Sequence, residues 1–185
     1  MSAARSIVVE HGPEAATVSA IAKRVGAPVG SVYHRFRSRD VILATVLLDE
    51  VAVFQAAFIE ASSDATPGEL ATRMTAWIRA NPSGARLLGL YRPAELMANG
   101  MPEELAARAL TLRHELDAGI RVLSKRWLGT ARAEARRAVR LAIMEVPLGA
   151  LRPLLRGDDP VPRSYDALIA AAADAVIEKA RTQRF

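Results

Sequence analysis

TVSAIAKRVGAPVGSVYHRF, the stretch from Thr17 to Phe36, has the pattern of two short helices joined by a tight turn. Thr17 precedes the first helix, where its hydroxyl can accept a hydrogen bond from an otherwise unpaired backbone N–H. Gly26 follows that helix and suits a left-handed cap. Pro28 is tolerated at the first position of the next helix because no N–H bond is lost there. The apolar face of the first helix has the spacing i, i+3, i+4, i+7 and consists of Val18, Ile21, Ala22 and Val25.

The second helix is predicted to run from Pro28 to about Phe36, with Val32 and Phe36 facing inward. Two short helices around a glycine-containing turn are the geometry that places a second helix in the major groove of DNA. The outward face would offer hydroxyls and cations to phosphate oxygens and side chains to base edges. The alternative is an ordinary helical hairpin whose polar face meets only water. The outward residues are Ser31, His34 and Arg35, with Tyr33 at the edge of the face.

A longer segment, GAPVGSVYHRFRSRDVIL from Gly26 to Leu43, resembles the signature block of TetR-type transcriptional regulators. The preceding EHGPEAATVSAIA, Glu10 to Ala22, is similar to the end of the first helix and the start of the second in that family. Arg39 replaces the usual Lys, Val32 stands where Leu is usual, and Arg5 is all that remains of the basic arm. The residues that match the family pattern are Gly26, Gly30, Ser31, Tyr33, Phe36 and Ser38, and His34 is a common choice at its position.

The resemblance implies an all-α, TetR-like protein with a three-helix DNA-binding head in residues 1–45 and a helical ligand-binding and dimerisation domain in residues 46–185. It implies a ligand-responsive transcriptional repressor that binds a pseudo-palindromic double-stranded DNA operator as a homodimer and is released by a small hydrophobic effector. The alternative is a dimeric helical small-molecule-binding or scaffold protein without DNA binding. The residues expected to contact DNA are Thr17, Ser19, Pro28, Val29, Gly30, Ser31, Tyr33, His34 and Arg39.

The composition restricts the class of protein. The chain has 185 residues, 51% of them hydrophobic, and no cysteine, which excludes disulfides, thiolate zinc sites and a thiol nucleophile. No apolar run reaches 18 residues and the amino terminus lacks a signal-peptide pattern, so we expect a cytoplasmic protein without a membrane segment. The net charge is +5, of which +3 falls within residues 1–45. A basic end favours one polyanion-binding module, although a general preference for Arg, 22 against 3 Lys, would also raise the charge.

Beyond the head, the sequence predicts only helices, because no segment shows the alternation of a sheet strand. Ser38 to Ser62 is predicted to form one long helix, with Ser38 as its N-cap and Asp40 favourably placed in the first turn. Its middle is apolar nearly all round, which is typical of a core helix. Pro67 and Gly68 mark a turn. Further helices are predicted at Glu69–Ala80, Ser83–Leu90, Pro93–Met97, Glu103–Leu128, Ala131–Val146 and Ser164–Thr182.

Two of these helices, Ala131–Val146 and Ser164–Thr182, carry apolar stripes rich in small residues that would allow close helix packing. The resemblance implies that they pair with their twofold mates as a four-helix bundle. The alternative is that both stripes pack within their own domain. Pro147 is expected to break or kink the first helix, because its ring clashes with the carbonyl four residues back. The residues expected at the dimer interface are Val139, Ile143, Val146, Leu168, Ala172 and Val176.

An effector cavity is implied by the resemblance in the segment from Trp77 to Trp127, although such large apolar residues are more often plain core. The segment offers few polar anchors, so a neutral or weakly polar, largely hydrophobic molecule is expected. His114 is the candidate for an orienting hydrogen bond, unless it is a structural histidine. The residues expected to line the cavity are Phe54, Phe58, Trp77, Tyr91, Met97, His114, Trp127 and Met144.

Catalytic motifs are missing from the sequence. His114 and Glu115 begin a zinc-protease motif, but Ala118 stands where its second histidine is needed. There is no dinucleotide-binding glycine pattern, no P-loop and no serine nucleophile elbow. The sequence therefore predicts a protein that is not an enzyme and that has neither a metal site nor a cofactor.

Overall fold

A computed structural model describes residues 1–90, 101–156 and 159–183, and at Leu90 the backbone alone. All regular structure within these ranges is helical, which confirms the predicted all-α class. The helix expected at Pro93–Met97 lies outside the described residues. The helices are α1 (Ser2–His11), α2 (Val18–Val25), α3 (Val29–Arg35), α4 (Arg39–Ala61), α5 (Pro67–Ala80), α6 (Pro82–Leu90), α7 (Glu103–Leu128), α8 (Ala133–Arg140), α9 (Val146–Arg156) and α10 (Ser164–Thr182), with a 3₁₀ turn at Pro13–Ala15 and a π-helical segment at Leu141–Glu145.

The chain divides into two compact units, and each is assembled from two separate stretches of sequence. The first unit comprises Met1–Ala52 and Pro82–Leu110, so it holds α1 to α3, the first half of α4 and α6. The second comprises Val53–Asn81 and Thr111–Phe185, so it holds the end of α4, α5, most of α7, and α8 to α10. Both units therefore depend on contacts between residues far apart in the chain.

The core of the first unit is apolar and includes residues of α1, α2, α3, α4 and α6. Ile7 and Val8 face inward from α1, and Ile21 and Ala22 face inward from α2, as the spacing predicts. Val25 is an exception, because it is the last residue of α2 and is 53% exposed. The apolar face of α2 is thus buried over its first turns only, and the prediction that Val25 belongs to that buried face is wrong.

An ion pair with a buried carboxylate joins α1 to α4 within the first unit. Arg5 Nε lies 2.7 Å from Glu50 Oε1, and Arg5 Nη2 donates to Glu50 Oε2 at 3.0 Å. Glu50 is only 7% exposed. Gly84 of α6 lies so close to this carboxylate that a Cβ atom there would collide with Glu50 Oε2. Charge pairing and close backbone approach therefore hold three helices together at one point.

The start of α5 is fixed by a capping box. The Glu69 N–H donates to Thr66 Oγ1 at 3.3 Å, and the Thr66 N–H donates to Glu69 Oε2 at 2.8 Å. Two backbone donors that a helix start leaves without partners are thereby satisfied. Pro67 occupies the first turn, where its missing N–H has no cost. The helix accordingly begins two residues before the predicted start at Glu69.

Two aspartates of α10 clamp α5 at its two ends, all within the second unit. Asp174 Oδ1 accepts from the Gly68 N–H at 2.8 Å, and a Cβ atom at Gly68 would lie 2.5 Å from Asp174 Oδ2. At the other end, Arg79 Nη2 donates to Asp166 Oδ2 at 2.6 Å, and the Thr75 hydroxyl donates to Asp166 Oδ1. The Arg79 guanidinium lowers the pKa of Asp166 below its usual value. Antiparallel packing of these helices is thus specified by charge as well as by apolar contact.

Arg126 of α7 binds the loop that follows the carboxyl end of α4. Its Nη1 donates to the carbonyls of Ser62 and Ser63 at 2.9 and 2.5 Å, and its Nη2 donates to the carbonyl of Ala65. These carbonyls lie just after Ala61, the last residue of α4, where a cation also interacts favourably with the negative end of the helix dipole. One side chain therefore fixes the loop that leads from α4 to α5.

Of the two outcomes expected at Pro147, a break or a kink, the break does not occur. A π-helical segment at Leu141–Glu145 precedes it, and the Val146 N–H donates to the Leu141 carbonyl, five residues back. The helix then continues as α9. The wider π turn gives the proline ring room beside the carbonyls of the preceding turn, which resolves the clash that a regular α-helix would produce.

Among the described helices, α4 is the one long and apolar enough to cross a membrane by length and composition. Half of its most apolar window is buried inside the protein, and a core helix passes the same test. Its middle also carries charge, since Glu50 pairs with Arg5, and Asp49 lies 2.7 Å from Arg108. Burial and ion pairing therefore account for α4 as a core helix.

Candidate nucleic-acid interface and effector cavity

The hairpin of α2 and α3 forms with the caps that the sequence predicts. Thr17 Oγ1 accepts from the Ala20 N–H at 3.1 Å. Gly26 has φ 65° and ψ 27°, a left-handed conformation in which a side chain would be strained. Pro28 is the N-cap of α3 rather than its first residue, one position from the prediction. The turn between the two helices is thus set by local chemistry in residues 17–28.

The outer face of α3 presents both apolar and polar groups. Val32 is 8% exposed and anchors α3 in the core, while Val29 and Tyr33 are 40% and 54% exposed. Apolar groups of this kind can contact thymine methyl groups, and hydroxyls can bind phosphates or base edges. Eight of the nine residues predicted to contact DNA are exposed: Thr17, Ser19, Pro28, Val29, Gly30, Ser31, Tyr33 and His34.

Arg39, the ninth predicted residue, is engaged within its own unit. Its Nε donates to the Ala16 carbonyl at 3.1 Å, and its Nη2 donates to the Pro13 carbonyl at 2.5 Å. Glu14 and Asp40 lie 3.8 and 3.6 Å from its guanidinium. Arg39 therefore fixes the segment between α1 and α2 against the start of α4 in this structure.

Two further cations near the hairpin are also paired. Arg24 forms a bidentate pair with Glu10, with both Nη–Oε distances at 2.8 Å, and this hydrogen bonding lowers the pKa of Glu10. Arg5 pairs with Glu50 in the way described above. Arg5 thus links α1 to α4, and the carboxylate of Glu50 neutralises its charge.

Three other cations are exposed, and sequence reasoning missed them as candidates for phosphate contact. Within residues 1–90, 101–156 and 159–183, no carboxylate lies at salt-bridge distance from Lys23, Arg35 or Arg37. The guanidinium of Arg35 lies 5.7 Å from the centre of the Phe36 ring. Their position within or beside the hairpin is the signal that could have identified them. They supply the unneutralised positive charge that a polyanion would meet.

Residues 1–46 match the model of the family described as bacterial regulatory proteins, tetR family. This segment of the chain is therefore a tetR-type domain. The hairpin of α2 and α3 lies within the matched residues and corresponds to the DNA-binding helix-turn-helix of that family. TetR-family regulators are not enzymes, which confirms the sequence prediction on that point.

The fold of the chain is similar along its length to solved structures of low sequence identity. PfmR from Thermus thermophilus is 20% identical with a TM-score of 0.64, and the match covers 98% of this chain and 97% of PfmR. A transcriptional regulator from a Rhodococcus species is 22% identical with a TM-score of 0.63, covering 96% and 91%. FadR from Bacillus subtilis, solved with stearoyl-CoA, is 17% identical with a TM-score of 0.63, covering 100% and 97%. No curated protein matches the sequence.

A cavity of about 250 Å³ lies between the end of α4 and α5 in the second unit. The Phe54 ring meets Trp77 edge-on, with 5.0 Å between centroids, and stacks on Phe58 at 6.0 Å. The structure thus brings these three predicted ligand residues together. Ala57 and Ala61 continue the same helical face, a spacing that could have identified them. The lining residues that sequence reasoning missed are Ala57, Ala61, Arg73, Met74 and Ala76.

The other predicted ligand residues lie elsewhere or outside the described ranges. His114 is exposed and Met144 lies half-buried in the π segment, and neither lines this cavity. Trp127 is 8% exposed, and its ring faces the Arg126 guanidinium at 5.3 Å. Tyr91 and Met97 are outside the described residues. This cavity therefore does not include Trp127, which is a core residue, or His114, which is a surface residue, and the calls on Tyr91 and Met97 stay predictions.

The predicted dimer stripes are divided between core and surface. Val139 and Ile143 are completely buried inside the protomer, so they belong to its core rather than to a surface that faces a partner. Leu168 is 67% exposed and Leu141 is 41% exposed. The remaining predicted residues, Val146, Ala172 and Val176, are half-buried, and the neighbouring Ala171 and Ala175 are exposed.

Proposed function

We propose that this regulator is a ligand-responsive repressor that works in the cytoplasm, with residues 1–45 as the DNA-binding head and residues 46–185 as the effector-binding and dimerisation domain. The exposed face of α3 carries the proposal. Val32 anchors the helix from one side, while Val29 and Tyr33 remain largely exposed on the other. A folded helix that exposes apolar and hydroxyl groups beside unpaired cations fits the edges and backbone of a duplex.

In the proposed complex, the α3 helices of a homodimer enter successive major grooves of a pseudo-palindromic operator. Their half-site centres are about 34–36 Å apart, or a multiple of that distance. Val29, at the start of α3, meets base edges, because the first residues of a recognition helix read the groove. The Tyr33 hydroxyl donates to a phosphate, and Arg35 and Arg37 neutralise neighbouring phosphates.

Selection of binding sites from random duplexes tests this proposal directly. Tyr33→Phe should weaken binding to all sequences equally, by about 1 kcal/mol, since a phosphate contact carries no sequence information. Val29→Arg should change the selected sequence, because arginine prefers guanine edges. Arg163→Gln, an exposed charge change in the second unit, is the control and should alter neither property. An unchanged selected sequence in Val29→Arg would contradict the placement of α3.

Salt dependence separates this function from the alternative, a helical binding or scaffold protein that does not contact DNA. For each tenfold increase in salt concentration, the decimal logarithm of the binding constant falls by about 0.9 for every phosphate that the protein neutralises. Arg35→Gln and Arg37→Gln should each reduce that slope by about one phosphate. If no sequence is selected and no salt-dependent binding occurs, the alternative holds.

The homodimer in this proposal forms through the outer face of α10 and the π segment. Leu168 and Leu141 are exposed large apolar residues, and Ala171 and Ala175, which are exposed on the same helix as Leu168, would allow close helix approach. Large exposed apolar residues that cluster on a surface often mark an interaction site. An isologous pairing of this face would cover it in both protomers.

The effector in this proposal occupies the cavity between α4 and α5. Its apolar lining favours a hydrophobic ligand, and FadR, which has a similar fold, was solved with stearoyl-CoA. A ligand that prefers the state unable to bind DNA by tenfold supplies about 1.4 kcal/mol of coupling per site. A thermal-shift and operator-release screen across hydrophobic and polar metabolites tests it. Release only by sugar-like or highly charged compounds would contradict an apolar effector cavity. If no compound stabilises the protein or releases the operator, the proposed ligand-sensing role would be refuted.

A further inference from the structure

The cavity between α4 and α5 has one charged residue in a wall that is otherwise apolar. Its lining consists of aromatic, alanine and methionine side chains together with Arg73. Arg73 Nη1 donates to the Ala61 carbonyl at 3.0 Å, which places the guanidinium at the end of α4. A guanidinium has five N–H donors, so this one hydrogen bond leaves donors for a second acceptor.

The surroundings of Arg73 leave its charge without a direct partner. Glu69, one turn earlier on α5, accepts hydrogen bonds from the Thr66 N–H and hydroxyl, which are the main causes of its lowered pKa, and the charge of Arg73 adds to this effect without a direct contact. Among the described residues, no carboxylate oxygen lies within 4.0 Å of the Arg73 guanidinium. The cavity therefore has apolar walls and one cation that can pair with an anionic ligand.

We propose that the ligand of this cavity is a small monocarboxylate with a compact apolar tail. Its carboxylate forms a charge-assisted pair with Arg73, for which the planar fork of the guanidinium is well matched. Its tail lies against Phe54, Phe58 and Trp77. This inference rests on the proposed effector function of the same cavity, and it adds the chemical class of the ligand.

The volume of the cavity limits the size of that tail. A cavity of about 250 Å³ holds roughly eight water-sized groups, since a water molecule occupies about 30 Å³. A chain of six to eight carbons or a single aromatic ring fills that space, whereas a long acyl chain would extend out of it. The edge-on pair of Phe54 and Trp77 supplies flat apolar surfaces for either kind of tail.

Direct binding of matched eight-carbon probes to the full chain tests the proposal. Octanoate, octanol and octylamine share a tail and differ in the charge of the head. We expect octanoate to bind at least about fivefold more tightly than octanol, and octylamine to bind more weakly than either, because the exposed guanidinium attracts one charge and repels the other. Titration calorimetry on the unmodified protein measures all three affinities.

Variants of single residues assign the effect to Arg73. Arg73→Gln should lower the affinity for octanoate to that for octanol and leave octanol binding unchanged. Arg121→Gln is the control, because it removes the same charge from an exposed position of α7 that does not line the cavity. Ala57→Leu should weaken both ligands by filling the cavity. Far-ultraviolet circular dichroism of each variant establishes that it is folded.

Intrinsic fluorescence gives an independent localisation of the ligand. The chain has two tryptophans, and only Trp77 lines the cavity, so Trp127→Phe leaves a single reporter there. Octanoate should change the Trp77 emission with the same affinity that calorimetry measures. The reverse variant, Trp77→Phe, keeps only Trp127, which does not line the cavity. The emission of that variant should not change when octanoate is added.

The outcomes distinguish this inference from the function on which it rests. Equal affinity for octanol and octanoate, or an equal loss of octanoate binding in Arg73→Gln and Arg121→Gln, would overturn the assignment of a carboxylate and leave the apolar cavity in place. Absence of binding by all three probes would overturn the ligand assignment. Tight octanoate binding that fails to release the operator would uphold the ligand class and refute the effector role.

Discussion

Gly84 is a residue at which one methyl group should matter, because its backbone lies against a buried ion pair. A Cβ atom at this position would collide with Glu50 Oε2 and lie 3.3 Å from Arg5 Nη2. Glu50 cannot move aside without weakening its pairing with Arg5. Gly84→Ala should therefore lower the free energy of unfolding by about 1 to 3 kcal/mol, in spite of the better helix propensity of alanine.

Gly149 of α9 provides the matched control for Gly84→Ala. It is also a helical glycine, but nothing lies within 4 Å of the position its Cβ would take. Gly149→Ala should raise the free energy of unfolding by up to about 1 kcal/mol through helix propensity alone. Urea denaturation of both variants measures the two effects. An equal gain in stability at both positions would refute the close packing of Gly84 on Glu50.

Asp166 should make the stability of the protein depend on pH in the acidic range. Arg79 lowers the pKa of this carboxyl in the folded state, whereas the unfolded chain has the ordinary value of about 3.9. Its contribution is therefore present above about pH 4 and is lost as the pH falls through the lowered pKa. Asp166→Asn should cost about 1 to 2 kcal/mol at pH 7, and the difference from the unmodified protein should shrink toward pH 3.

Thermal unfolding from pH 7 to pH 3 measures this difference. Glu178→Gln, which changes an exposed carboxylate of the same helix, is the control and should leave the pH profile unchanged. A stability difference for Asp166→Asn that is constant across this range would mean that the paired carboxylate does not contribute through its ionisation.

The residues of α4 show what the sequence could not reveal at this scale. Glu50 and Gln55 are 7% and 3% exposed, whereas Val53 is 54% exposed. Both polar residues have partners far away in the sequence: Arg5 pairs with Glu50, and Gln55 Nε2 donates to the Leu112 carbonyl at 2.7 Å, although Gln55 Oε1 has no hydrogen-bond partner among the described residues. Hydropathy records none of these partners, so it cannot distinguish a polar residue that is buried from one that is exposed.

At the scale of helices, boundaries set by local chemistry could be predicted from the sequence. Thr17 and Gly26 delimit α2 as expected, and Ser38 Oγ accepts from the Val41 N–H at 3.3 Å at the start of α4. The π segment before Pro147 could not be predicted, because its hydrogen-bond pattern depends on how the whole helix packs. The cavity of α4 and α5 was foreseen only in its aromatic residues, since Arg73 lines it through tertiary packing.

Arg126 should stabilise α4 from outside the helix. It donates to three carbonyls of the segment that ends α4 and leads to α5. Arg126→Gln should lower the free energy of unfolding by about 1 kcal/mol and increase hydrogen exchange of the amides in the last turn of α4. Lys125→Gln removes the neighbouring exposed charge and is the control. Equal exchange in the two variants would show that Arg126 does not cap the helix.

At the scale of the whole molecule, substitutions at two neighbouring residues of α10 should distinguish an effect on dimerisation from an effect on folding. Leu168 is 67% exposed, and Ile169 is 3% exposed. Leu168→Glu should leave a folded monomer with weakened operator binding, because it places a carboxylate on the proposed dimer face. Ile169→Glu should unfold the second unit, because it buries an unpaired charge. Sedimentation and circular dichroism measure the two properties, and a Leu168→Glu variant that remains dimeric would refute this interface.

The clamp between α5 and α10 also has a consequence for how the chain is made. Gly68 and Asp174 are 106 positions apart, and Arg79 and Asp166 are 87 apart. A ribosome adds roughly 5 to 20 residues per second, so α5 emerges on the order of ten seconds before the helix that covers it. During this interval the face of α5 that carries Gly68, Thr75 and Arg79 lacks its native partner. The nascent chain is therefore expected to depend most on chaperones between the synthesis of α5 and that of α10.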